Sequence, residues 1–116
     1  MDRLSEIEER LAAATPGPWE ECAYRAESGE AGYSIDQMAD DVIVEEVARL
    51  PRTPQGSWDA CFIAHAPADL AALVAVVREV AALHRRRVER PNAGCLQCGQ
   101  IWPCPTAAAV QKLGGA

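Results

Sequence analysis

Aromatic residues are scarce in this chain: one Phe, two Tyr and three Trp among 116 residues. Much of the apolar fraction is alanine, which contributes little area when buried. A chain of this length makes one domain by the usual prior, residues 1–116, and buries about two thirds of the surface that its unfolded form exposes. There is room for one modest core, so a metal staple or a partner chain would help it. Eighteen consecutive apolar residues never occur, and the opening "MDRLSEIEERL" carries charges where a signal peptide has its apolar segment. The expectation is a soluble, cytoplasmic protein without membrane contact. Also missing are a P-loop, a GxGxxG turn and a serine-hydrolase elbow. Asp36, Asp40 and Asp41 do not follow the spacing of an EF-hand. No enzyme is expected from these absences.

Basic residues are few in the first half. Residues 1–60 hold 14 acidic and 5 basic side chains, and residues 61–116 hold 3 acidic and 6 basic. An acidic half repels phosphate backbones, which disfavours duplex nucleic acid as a partner. The cations that stand out are Arg85, Arg86, Arg87 and Arg90, either a local anion site or a solvated helix end placed well against the helix dipole.

Periodicity then divides the chain. Leu4, Ile7 and Leu11 recur at helical spacing, and "TPGPW" stops that helix, because Pro16 disfavours helical geometry before it and Pro18 blocks continuation. From Trp19 to about Ala48 the signals are those of three short strands: "WEECAYRA", "YSIDQM" and the β-branched start of "DDVIVEEVARL", with "ESGEAG" as turn chemistry. The rival for the third segment is a helix, since Val44, Val47 and Ala48 also fit a period of 3.6. "PRTPQGS" reads as a surface loop. Ser57 caps a short helix carrying Phe62 and Ile63, and Pro67 opens a second with Asp69 near its positive end. Leu70, Leu73, Val74, Val77, Val80 and Ala81 form one stripe, expected to cover the sheet, with His84 next on it. The fold class is α+β: an N-terminal helix, a small antiparallel sheet of about three strands, a long helix packed on it, a C-terminal zinc knuckle and a short final helix. Residues 1–90 would be the core and 91–116 a zinc-stapled tail.

Five cysteines are an odd number, and a CxxC pair in a reducing compartment is read as metal-binding or redox-active before it is read as a disulfide. Cys22 and Cys61 are read as small buried apolar side chains. His84, Cys95, Cys98 and Cys104 are spaced H-x10-C-x2-C-x5-C, four ligand types that suit tetrahedral Zn2+ in a structural role. With all four positions filled, no place is left for water, and catalytic zinc is not expected. The rivals are a redox CxxC, which would want a βαβ setting that "NAGCLQCGQIWPCPT" lacks, and unliganded thiols with His84 as a packing residue. If Pro105 opens the last helix, Cys104 lies where helix amides favour a thiolate. Cys61 and His65, one helical turn apart, lack an oxyanion donor and an orienting group.

"LAAATPGPWE", followed after a variable middle by "DACFIAHAPADLAALV", resembles the ead-like early-region accessory proteins of temperate phages and prophages, common in actinobacterial phages. The tail "CLQCGQIWPCPTAAAV" is similar to a CxxCGxxWPCPT-type ending of small actinobacterial and actinophage proteins. The resemblance covers residues 4–19 and 59–113. It implies a phage gene product in the bacterial host cytoplasm that acts on the host, as a takeover or counter-defence factor. Two roles follow. In one, a host protein with a basic surface meets acids around Glu20, Glu21, Asp40, Asp41, Glu45 and Glu46. In the other, a sponge sequesters a nucleotide immune signal, with Arg25, Arg49, Arg52 or Arg85, Arg86 and Arg87 gripping phosphates while Trp19, Tyr24 or Tyr33 stacks on a base. An inert or self-associating domain is the third reading, and exposed sheet edges make a homodimer plausible.

Overall fold

The computed structural model describes residues 2–88 and 94–113. Arg90 and the expected boundary between residues 90 and 91 lie outside the described residues. The order of elements is α1 (Arg3–Ala13), β1 (Trp19–Arg25), β2 (Ala31–Ala39), β3 (Val42–Pro51), α2 (Pro54–Leu83) and α3 (Pro105–Gln111). The chain forms two compact units, one of Leu11–Leu70 and one of Met1–Arg10 with Ala71–Ala116.

The unit of residues 11–70 is built on an antiparallel meander in the order β1-β2-β3. The third segment is a strand throughout, so the helical rival does not hold. Its pairing with β2 shifts between Ile35 and Asp36 and again between Gln37 and Met38. Each shift inserts one extra residue, a bulge that bends the strand and resets its facing. The first turns both Val47 and Ala48 toward the Ile35 core. Glu46 and Arg49 are left outside, paired at 2.6 Å.

The core of this unit is Ile35, Ala60 and Ala64, with Trp19, Tyr33, Leu50 and Ile63 packed around it. The helix side is made of small residues four apart, Gly56, Ala60 and Ala64, all buried. That spacing puts them on one face and lets the helix backbone approach the sheet closely. A Cβ on Gly56 would stand 1.9 Å from the Pro51 carbonyl oxygen. The loop expected over residues 51–57 is accordingly short: β3 runs to Pro51, and Thr53 caps α2 by accepting from the Gly56 amide at 2.9 Å. Ser57 is inside the helix rather than its cap.

Ser57 as a cap and Pro67 as a helix start would give two helices, and one is observed, with Pro67 inside it. The stripe expected to cover the sheet is partly in water, since Leu73 is 63% and Leu70 41% exposed. The residues on Ile35 come instead from the half of α2 before Pro67, where the side chains are small. Continuity also changes the apolar length. By length and composition α2 is now apolar enough to cross a membrane, as core helices also can be. Only 17% of its most apolar window is buried.

In the unit of residues 1–10 and 71–116, Asp2 caps α1 by accepting from the Ser5 amide at 2.7 Å. That amide, with the Ser5 hydroxyl, holds the Asp2 carboxyl below its usual range. Arg78 of α2 donates from Nε to Glu8 at 2.9 Å and also bonds Ser5 Oγ at 3.2 Å. A cavity of about 310 Å³ lies beside this junction, lined by Asp2, Leu4, Arg78, Ala81, Val110, Gln111 and Leu113.

Candidate metal centre

α2 ends at Leu83, and the His84 amide still bonds the Val80 carbonyl at 3.0 Å, so the helix fixes the backbone of His84. The chain then runs as an extended clamp. Arg86 bridges Cys95 in antiparallel fashion, the Arg87 amide donates to Gly94 O at 3.0 Å, and the Leu96 amide donates to Arg85 O at 2.8 Å. The backbone of the arginine run thus brings the CxxC turn beside His84.

The turn closes on itself. The Cys95 amide bonds Gln100 O at 2.8 Å, and the Gly99 amide returns to Cys95 O at 3.0 Å. Gly94 at φ +80° and Gly99 at φ +75° occupy left-handed backbone, where a side chain is strained. At Gly94 a Cβ would also stand 2.3 Å from Gln100 O. Cys104 is the N-cap of α3, with Pro105 following as the first helical residue, and its sulfur accepts from the Ala107 amide at 3.4 Å.

These elements bring together all four residues expected from the spacing. The ligand atoms of His84, Cys95, Cys98 and Cys104 lie within 4.8 Å of one another, close enough to bind a metal ion. His84 Nδ1 is 3.6 Å from Cys95 Sγ and 3.6 Å from Cys104 Sγ. A tetrahedral ion with sulfur at about 2.3 Å and nitrogen at about 2.0–2.1 Å sets a sulfur and a nitrogen ligand about 3.5–3.6 Å apart. Both His84–sulfur separations match that edge, and the cluster as a whole is compact enough to close on one ion. Cys95 and Cys104 are fully buried, and Trp102 packs against them together with Ala107. Cys98 is exposed.

The electrostatics divide the two thiols of the CxxC pair. Burial pushes Cys95 up, but the Cys98 and Gln97 amides and the Cys104 and Cys98 thiols outweigh it, and its pKa falls to about 6. At Cys98 the Gln100 amide pulls the pKa down, yet burial and its neighbours Cys95 and Cys104 leave it raised. One thiolate is thus prepared near neutral pH, and a bound cation would draw the others into that form.

The residues expected to grip a ligand do not form one site. Trp19 donates from Nε1 to Thr15 O at 2.9 Å and packs on the Ile35 core. The Arg49 guanidinium lies over the Tyr24 ring at 4.8 Å, and that of Arg52 over Tyr33 at 5.3 Å. At Tyr24 and Tyr33, one face of the ring that a base would use is taken by the cation that would grip its phosphate. Arg25 is exposed at the end of β1. Arg85, Arg86 and Arg87 belong to the other unit, where their backbone pairs with the CxxC turn. His65 Nδ1 donates to the Cys61 carbonyl at 2.8 Å, so it cannot take a proton from the Cys61 thiol, 3.8 Å away.

Sequence reasoning missed Trp58 and Phe62, which are 74% and 76% exposed. The signal was present in the small residues at 56, 60 and 64: they mark the sheet-facing side of α2 and leave positions 58 and 62 together on the opposite side. No protein-family model, curated protein or solved structure matches the chain.

Proposed function

We propose that this is a non-enzymatic phage or prophage accessory protein that binds a host protein, with one unit held together by a structural zinc ion. The phage setting rests on the motifs "LAAATPGPWE" and "CLQCGQIWPCPTAAAV". The observation that carries the binding role is the pair Trp58 and Phe62, one helical turn apart and three quarters in water. Tryptophan in an exposed apolar patch is the commonest anchor of a protein interface. Residues 11–70 contain 11 acidic and 3 basic side chains, so the partner presents an apolar pocket with a basic rim. Ala60 and Ala64 on the opposite side of the helix are committed to the protein core, which favours a protein over a lipid surface. The nucleotide-sponge reading ranks second, because Arg49 and Arg52 already cover Tyr24 and Tyr33.

Three thiolates with one imidazole are a closed, soft donor set, which selects zinc over harder cations and leaves no coordination position for substrate. The metal serves the fold. Affinity purification from host lysate should recover one specific partner with the parent chain and lose it with Trp58→Ala/Phe62→Ala. Because both side chains are mostly in water, that variant keeps its melting temperature. Equal recovery by parent and variant would remove the anchor assignment.

A further inference from the structure

The two edges of the sheet are not alike. β3 carries two bulges and ends in Pro51, which has no amide to donate. Bulges and prolines are the devices by which proteins block edge-to-edge pairing. β1 has neither: its ladder with β2 runs from Trp19 to Arg25 without a register shift.

The outward groups of β1 follow from the hydrogen bonds that continue its ladder. Met38 donates to Pro18 O at 3.0 Å, and Ala26 donates to Glu30 O at 2.7 Å. In an antiparallel pair, bonded and non-bonded positions alternate, so residues 20, 22 and 24 direct their amides and carbonyls to β2. Trp19, Glu21, Ala23 and Arg25 therefore direct theirs away from it. Glu21 and Arg25 share a face, both are exposed, and neither has an ion-pair partner among the described residues.

We infer that β1 is a self-association edge, and that two copies of this chain join their sheets antiparallel with Ala23 on the twofold axis and Glu21 of each opposite Arg25 of the other. Only odd residues can form the bonded pairs, which limits the symmetric registers to a few. One step in one direction, with Cys22 against Cys22, sets Arg25 against Trp19 and leaves it without a carboxylate. One step in the other, with Tyr24 against Tyr24, sets Arg25 against Ala23. The chosen register forms two complementary charge pairs and about six backbone hydrogen bonds. Because the second edge is blocked, pairing closes at two copies instead of continuing. This inference goes beyond the host-binding reading and is independent of it, since Trp58 and Phe62 are on α2.

The test is sedimentation velocity of the full zinc-loaded chain across the micromolar range. The parent should be dimeric. Ala23→Pro removes only outward-facing amides and spares the β2 ladder, and it should raise the dissociation constant by roughly tenfold to a hundredfold, the effect of losing two amide hydrogen bonds. Glu21→Arg and Arg25→Glu should each weaken the dimer, and the double variant Glu21→Arg/Arg25→Glu should restore it. A parent that stays monomeric, an Ala23→Pro variant as dimeric as the parent, or a double variant no better than the singles would each overturn the inference. Misfolding cannot imitate the restoration.

Discussion

His84 is the member of the His/Cys cluster whose removal tests a metal centre most sharply, because it is the one drawn from outside the cysteine-rich tail. Its Nδ1 stands 3.6 Å from two sulfurs, the separation expected across an edge of a tetrahedral zinc site. Structural zinc binds small domains with an apparent 10–16 kcal/mol or about that at neutral pH, so an equal quarter share is about 2.5–4 kcal/mol per ligand. His84→Ala should then weaken zinc binding by roughly a hundredfold to a thousandfold. The measurement is competition against a chromophoric chelator, paired with the visible spectrum of the cobalt-substituted protein. The parent should show the intense ligand-field bands of a tetrahedral site, and His84→Ala should lose intensity as water enters. His84→Cys, which keeps a fourth soft donor, should hold metal near parental strength. An unchanged affinity and spectrum in His84→Ala would show that the imidazole only packs against the thiols, and the four-ligand centre would be refuted.

Other measurements address the rest of the molecule. Elemental analysis should find about one zinc per chain, and Cys98→Ser should release it and lower the melting temperature. Gly56→Ala places a methyl group 1.9 Å from Pro51 O and should destabilise the unit of residues 11–70 by about 1–3 kcal/mol in urea unfolding. The Asp2 cap has a pH signature: its folded pKa lies below 3.8, so its contribution is complete above that value and is lost as pH falls through the folded pKa. Asp2→Ala should therefore lower the melting temperature at neutral pH, and the difference from the parent should shrink in acid. A panel of cyclic and linear nucleotides should leave the melting temperature unchanged, and a rise of several degrees with any of them would move the sponge reading to first place.

Much of this architecture can be read from local sequence, and what cannot depends on pairing. Strands near Trp19, Tyr33 and Val42 follow from strand-forming residues and turn chemistry, although β2 begins two residues earlier than expected, at Ala31. The His/Cys cluster is legible in the spacing H-x10-C-x2-C-x5-C and in Pro105, which places Cys104 at the N-cap of α3. The bulges beside Ile35 and Gln37 are invisible in β3 itself, since they exist only in its register with β2. Reading Pro67 as a helix start split α2, although proline in mid-helix is tolerated where packing outweighs the lost hydrogen bond. The same division hid the exposed pair Trp58 and Phe62, because a short helix carrying Phe62 and Ile63 gave no sign of which of its faces met the sheet. Tyr24 and Tyr33 could not be seen as covered, since Arg49 and Arg52 reach them only across the folded sheet.

The two extra residues in β3, Val44 and Val47, also act as a stop on growth. Deleting both would straighten the strand into a regular ladder, with Val42 and Ile43 in water beside a newly continuous row of amides. A chain with two open edges has no reason to halt at a pair. Val44, which is exposed, and Val47, which packs on the Ile35 core, thus separate a chain that stops at a pair from one that stacks into fibres.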